Sequence, residues 1–280
     1  MADVKTATAK SQAAARAAGK PKNQNHFWIN LIIVILAIVV GWLIYELVIG
    51  DPSHFNNPEK TEPKDFIGNM YLGGFIVPFL MATFLVMFTF VIERGIAVIK
   101  AKGKVNGGEF VRKVQYHLAN KNLDAALAEC DKQNGSVGNV MKAGLIKYRE
   151  MSLNTELTTD QKVLSIQNEI EEATALELPM LEKNLVFLST IASIATLLGL
   201  LGTVLGMIRA FMAMAQAGAP DATALAAGIS EALYNTGLGI GTSFFAVIAY
   251  NFYTTLIDGI NYSIDESGFT LTQSFRATYK

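Results

Sequence analysis

The chain has 280 residues, 51% of them hydrophobic and 17% charged, with a mean hydropathy of +0.32, a balance that departs from soluble averages toward membrane proteins. Its net charge of -1 supplies no global basic field, which argues against nucleic acid as a partner. One cysteine, Cys130, and three scattered histidines, His26, His54 and His117, leave no internal disulfide and no Cys/His zinc cluster.

A spanning helix needs about 20 mostly apolar residues to cover a hydrocarbon core of about 30 Å. Residues 1–26, rich in alanine, lysine and threonine without apolar periodicity, read as a basic disordered tail close to the membrane surface. A first span is expected over 27–49, as a signal anchor: its apolar core exceeds that of a cleaved signal peptide, and no small-x-small site follows it. Asp51-Pro52-Ser53 and Asn56-Asn57-Pro58 mark turns in a short loop, 50–72, and a second span follows over 73–92.

The segment 93–184 carries three- and four-residue apolar steps, among them Phe110, Val114, Leu118, then Val137, Met141, Leu145, and reads as short amphipathic helices sharing a small core. Asn134-Gly135-Ser136 is a break, Thr158-Thr159-Asp160 a helix cap, and Pro179 an expected kink. Glu169, Glu171, Glu172, Glu177 and Glu182 are either a solvated face or a charged ring at the mouth of an oligomer. Beyond it lie a third span at 185–217, a turn at 218–222, a fourth span at 223–257 and a tail at 258–280. The last two apolar runs exceed a bilayer, so both helices are expected to tilt or to project from it.

Five basic residues precede the first span, two lie between the first and second, and thirteen lie from Arg94 to Lys183, with none between the third and fourth. The positive-inside rule then puts the N-terminus, 93–184 and the C-terminal tail in the cytoplasm. The expected fold is an all-α membrane protein of four transmembrane helices.

Charge inside a membrane costs about 2.5 to 3.5 kcal/mol on insertion scales, so Arg209 and Glu231 require an explanation. Arg209 lies eleven positions before Pro220 and Glu231 eleven after it, which brings both to one depth on antiparallel helices, as a candidate ion pair. Thr203 and Thr236, seventeen before and sixteen after, form a second, deeper polar layer. Ser189, Thr196, Thr203, Ala210 and Ala217 repeat every seven residues, flanked by Gly199, Gly202 and Gly206; the facing helix offers Gly228, Ala232, Thr236, Gly239 and Ser243, with Asn235 and Thr242 beside them. Such small residues pack membrane helices closely, whereas packing alone does not account for the matched charges; a polar pathway accounts for both. Gly237-Leu238-Gly239-Ile240-Gly241 lacks the strand and lysine of a phosphate loop and reads as packing. No GxSxG, HExxH or Walker-type motif occurs, so no enzymatic activity is expected.

The run Leu198-Gly199-Leu200-Leu201-Gly202-Thr203-Val204-Leu205-Gly206-Met207-Ile208-Arg209-Ala210-Phe211, followed by Gly228-Ile229-Ser230-Glu231-Ala232-Leu233-Tyr234-Asn235-Thr236-Gly237-Leu238-Gly239, resembles the signature of the MotA/TolQ/ExbB proton-channel family, closest to ExbB and TolQ. Glu93-Arg94 and Tyr250-Asn251 are similar too, and the likeness covers 73–257. The resemblance implies a three-span core in a bacterial inner membrane, forming a homo-pentamer around two copies of a single-span ExbD-like or TolR-like partner that carries the proton-binding aspartate. It further implies that Thr203, Thr236 and Glu231 line the pore and proton pathway, that protons are translocated without a cofactor, and that a TonB-like protein passes the output to uptake across an outer membrane. Membrane lipid is the other expected partner. The span at 27–49 is additional to the ExbB pattern, and Arg209 is a charge where related chains are neutral. A Tol-type envelope or gliding motor stays open as a second output, and a passive scaffold as a third.

Overall fold

The computed structural model describes residues 24–216 and 222–279, which are almost wholly helical and contain no strand. Most of the expected basic tail and the turn centred on Gly218-Ala219-Pro220-Asp221 lie outside the described residues. Four helical stretches are long and apolar enough to cross a membrane: Trp28–Ile49, Gly74–Ala119, Thr159–Ala215 and Leu225–Thr278. The chain divides into two compact units, residues 1–86 and 87–280.

In the first unit, α1 (Gln24–Ile44) passes into a π turn, Tyr45–Ile49. Trp28, Ile32, Leu36, Val39 and Leu43 are exposed around it, and a helix apolar on all sides suits lipid. The connection that follows is ordered. Asp51 caps a short 3-10 turn by accepting from Ser53 N at 2.9 Å, Phe55 bridges to Pro63, and Asp65 caps α2 (Phe66–Tyr71) by accepting from Gly68 N at 2.8 Å. His54 Nδ1 meets the other Asp65 oxygen at 2.6 Å. Tyr45 stacks on Tyr71 with ring centroids 4.7 Å apart and donates its hydroxyl to the Tyr71 carbonyl at 3.0 Å. A Cβ on Gly41 would lie 2.8 Å from the Pro78 carbonyl oxygen, so α1 approaches the start of α3 (Val77–Lys102) backbone to backbone.

The second unit holds the rest of α3, then α4 (Gly107–Ala119), α5 (Leu123–Gln133), α6 (Ser136–Leu153), α7 (Thr159–Glu182), α8 (Leu185–Gln216) and α9 (Ala222–Thr278). The amphipathic steps of 93–184 do make a shared core: Phe110, Val114, Leu118, Met141, Leu145 and Ile166 are buried together with Ile264, Leu271 and Phe275 of α9. Tyr148 meets the edge of Phe275 at 4.8 Å. Asn134 takes the left-handed conformation (φ 49°) that ends α5, and Thr158 with Gln161 forms the reciprocal capping box that starts α7.

Gln133 closes the core where α3 meets α4. It is buried, donates to the carbonyls of Val105 at 2.7 Å and Lys102 at 3.3 Å, and accepts from Val105 N at 3.1 Å.

Pro179 sits inside α7, and the chain turns out of that helix at Lys183-Asn184, where Asn184 has φ 65°; asparagine tolerates that region better than most residues. One expectation is corrected here. The segment expected as a tail from 258 is helical instead: α9 continues to Thr278 because Ile260, Ile264, Leu271 and Phe275 keep a helical apolar stripe that the core buries. At 57 residues, α9 is about 85 Å long, against a hydrocarbon core of about 30 Å.

Candidate functional site

The site is the α8–α9 hairpin. Gly199, Gly202, Gly206 and Ala210, with Ala195 one turn earlier, form the stripe that faces Gly228, Ala232, Asn235 and Gly239 of α9. A Cβ on Gly239 would lie 2.5 Å from the Ala195 carbonyl oxygen and 2.8 Å from Gly199 Cα, and one on Gly206 would lie 3.0 Å from Ala232 N. Only hydrogen fits there, and the helices touch through their backbones.

That closeness sets the polar layer. Thr203 Oγ1 and Thr236 Oγ1 are in hydrogen-bond contact, and each also reaches the Gly199 carbonyl oxygen, at 3.2 and 3.3 Å. Each hydroxyl has one proton and two lone pairs. One therefore donates to its neighbour while the neighbour donates to Gly199 O, and reversing both roles gives the mirror arrangement. Both threonines are half-buried at the edge of the packed face.

Toward the hairpin's turn, Arg209 Nη1 lies 2.6 Å from Glu231 Oε1. The carboxylate is mostly covered, at 12% exposed, while the guanidinium is half exposed at 51%. The structure thus brings together both pairs matched by counting, along with all six small residues, Gly199, Gly202, Gly206, Gly228, Ala232 and Gly239.

The seven-residue row is different. Ser189 and Thr196 are exposed, Thr203 is half-buried and Ala210 is buried, because a straight helix drifts by about 20° per heptad. The packed stripe follows steps of three and four, and on the part of α9 that faces α8 Asn235 and Thr242, rather than Thr236 and Ser243, are the buried polar residues. Ala195 and Ala246 extend the two stripes. Continuing the i, i+4 pattern outward from Gly199 and Thr242 finds both.

One further constellation lies where the apolar part of α3 ends. Arg94 is buried, donates to Glu93 at 2.6 and 2.7 Å, and reaches the Leu181 carbonyl oxygen at 3.2 Å. Asn184 Nδ2 donates to the same Glu93 at 3.3 Å. Glu93 and Arg94 thereby tie α3 to the break between α7 and α8. No histidine, cysteine or carboxylate group able to hold a metal occurs among the described residues.

These features define an all-α, multi-pass membrane protein built around a close-packed hairpin that carries hydroxyls and an ion pair within its apolar length. Residues 132–266 match the MotA/TolQ/ExbB proton channel family. It is similar to an ExbB-like biopolymer transport protein of Synechocystis, 37% identical over 89 residues, 31% of this chain and 42% of the relative. The Tol-Pal system protein TolQ of Haemophilus influenzae is 39% identical over 84 residues, 30% of this chain and 37% of the relative. The biopolymer transport protein ExbB of Pseudomonas putida is 24% identical over 186 residues, 65% of this chain and 54% of the relative. The matches span between 37% and 54% of these relatives' lengths.

Proposed function

We propose that the chain is the pore-forming subunit of an inner-membrane, proton-driven motor, with both described ends of the polar helical region in the cytoplasm. Five copies surround two copies of a single-span, ExbD-like partner, and the partner's aspartate takes up and releases protons beside Thr203 and Thr236. The threonines have no pKa in an accessible range, so they order water and reverse their hydrogen bonds as the aspartate changes charge. Glu231, neutralised by Arg209, shapes the field at the outward mouth of the same lumen. The chain makes and breaks no covalent bond and uses no cofactor. Through a TonB-like protein the motion energises uptake across an outer membrane.

The contact between the two threonines, on a hairpin inside the family match, supports this most directly. A Thr203→Ala/Thr236→Ala variant, purified with its partner and reconstituted in liposomes, is expected to assemble normally and lose proton flux by at least about tenfold. Normal flux refutes the pore role of the pair. Mass analysis of the complex from native membranes is expected to give five copies and two of an aspartate-bearing single-span chain; recovery of this chain alone favours a scaffold. The likeness to TolQ supports a second output, envelope maintenance, which a TolR-like chain in that complex would select.

A further inference from the structure

A cleft of about 640 Å³ opens where the end of α3, the α5–α6 junction and the last turns of α7 meet. Its polar wall is the start of α6. Ser136 is 4% exposed and lines the cleft, and its hydroxyl has no hydrogen-bond partner among the described residues. Gly135, at the cap position, provides no side-chain acceptor for the first amides of α6, and the first turn of this 18-residue helix carries no acidic residue of its own.

Lys100 and Lys104 flank this wall, and neither is in an ion pair among the described residues. The cleft's one carboxylate, Glu177, already accepts from Asn139 Nδ2 at 2.9 Å. Two ammonium groups against one carboxylate leave a single positive charge. The opposite wall is apolar, and its Ile99 and Met180 are 73% and 69% exposed. Lys100 lies seven residues beyond Glu93, where the apolar part of α3 ends, about 10 Å along the helix. The headgroup layer reaches about 5 to 7 Å beyond the hydrocarbon, so the Lys100 backbone stands just past it and the long side chain reaches back toward it.

We propose that this cleft binds the phosphodiester of an anionic phospholipid. Its single negative charge matches the charge left by the lysines. The Ser136 hydroxyl and the first α6 amides donate to the phosphate oxygens, Lys100 and Lys104 hold it from the sides, and an acyl chain lies along Ile99 and Met180. The glutamate excludes a second anionic group, which selects a diester over a doubly charged monoester.

The test uses the full chain in nanodiscs of phosphatidylcholine with a small fraction of phosphatidylglycerol, with native mass spectrometry counting retained lipid. Wild type is expected to retain phosphatidylglycerol in preference to phosphatidylcholine. Lys100→Gln/Lys104→Gln is expected to lower that retention by about tenfold or more, and Ser136→Ala by about threefold. Both lysines are exposed, so helicity by circular dichroism is expected to be unchanged. Equal retention in wild type and both variants overturns the site. Displacement of the lipid by millimolar inorganic phosphate, with the same dependence on the variants, makes it a free-anion site and overturns the lipid assignment.

Discussion

Replacing Gly239 by alanine tests the hairpin at its tightest point. The added methyl would lie 2.5 Å from the Ala195 carbonyl oxygen and 2.8 Å from Gly199 Cα. Both are backbone atoms of α8 and neither can rotate away. Reaching an ordinary contact of about 3.4 Å requires the helices to part by about 1 Å, a gap that forfeits a quarter to a half of each dispersion contact along the stripe. The cost falls in the overpacking range of about 1 to 3 kcal/mol, against up to about 1 kcal/mol gained in helix propensity. Gly237 has nothing within 4 Å of the same hypothetical methyl, so Gly237→Ala keeps the gain without the clash. The net effects therefore have opposite expected signs. Unfolding measured in bicelles by steric trapping should place Gly239→Ala below wild type and Gly237→Ala at or above it. The Thr203–Thr236 contact, one turn away, should open with the helices, so Gly239→Ala should also lower proton flux. Equal effects at the two glycines would refute the backbone-to-backbone geometry.

The Cys130 thiol, pushed up to about 12 chiefly by burial and secondarily by Asp131, should resist iodoacetamide at neutral pH in the folded protein and label at the ordinary rate once denatured; rapid labelling of the native chain would contradict its placement. Gln133→Leu removes the partner of one amide and two carbonyls, and should cost about 2 to 4 kcal/mol, read as a lowered thermal midpoint in detergent and faster hydrogen exchange at Val105. Asp65 is held below its ordinary value of 3.8, first by the Gly68 amide and then by His54. A depressed carboxyl stabilises the fold above its unfolded pKa and loses that contribution as pH falls through the folded one. Protection of the Gly68 amide should therefore stay constant above pH 3.8 and decline only below it, and a decline beginning near neutrality would contradict the cap.

The depths of Arg209, Glu231, Thr203 and Thr236 were legible from counting alone, because a helix rises by a fixed amount per residue and a tight turn fixes the zero. The face on which each residue sits was less so. A seven-residue repeat reads as a straight row in the sequence but winds around a helix of 3.6 residues per turn, which is why Ser189 and Thr196 turn away from the packed stripe while Ala210 stays on it. The short helices of 93–184 were readable from their apolar steps, yet their dependence on α9 was not: residues 258–278 look polar, and their apolar positions acquire meaning only when Met141, Leu145 and Ile166 are present to receive them. The tie made by Arg94, Leu181 and Asn184 joins segments nearly ninety residues apart, and no local pattern announces such a contact.

The unbroken course of α9 has a mechanical consequence. Thr236 and Phe275 lie 39 positions apart on a single helix, about 58 Å, with no hinge between the hydroxyl layer and the far end of the polar core. A tilt of about 5° at the threonine level sweeps the distal end through about 5 Å, roughly one helical turn's rise. Because that end is clamped among α4, α6 and α7, the lever works in both directions: whatever grips the polar core also sets the angle at which Thr236 meets Thr203.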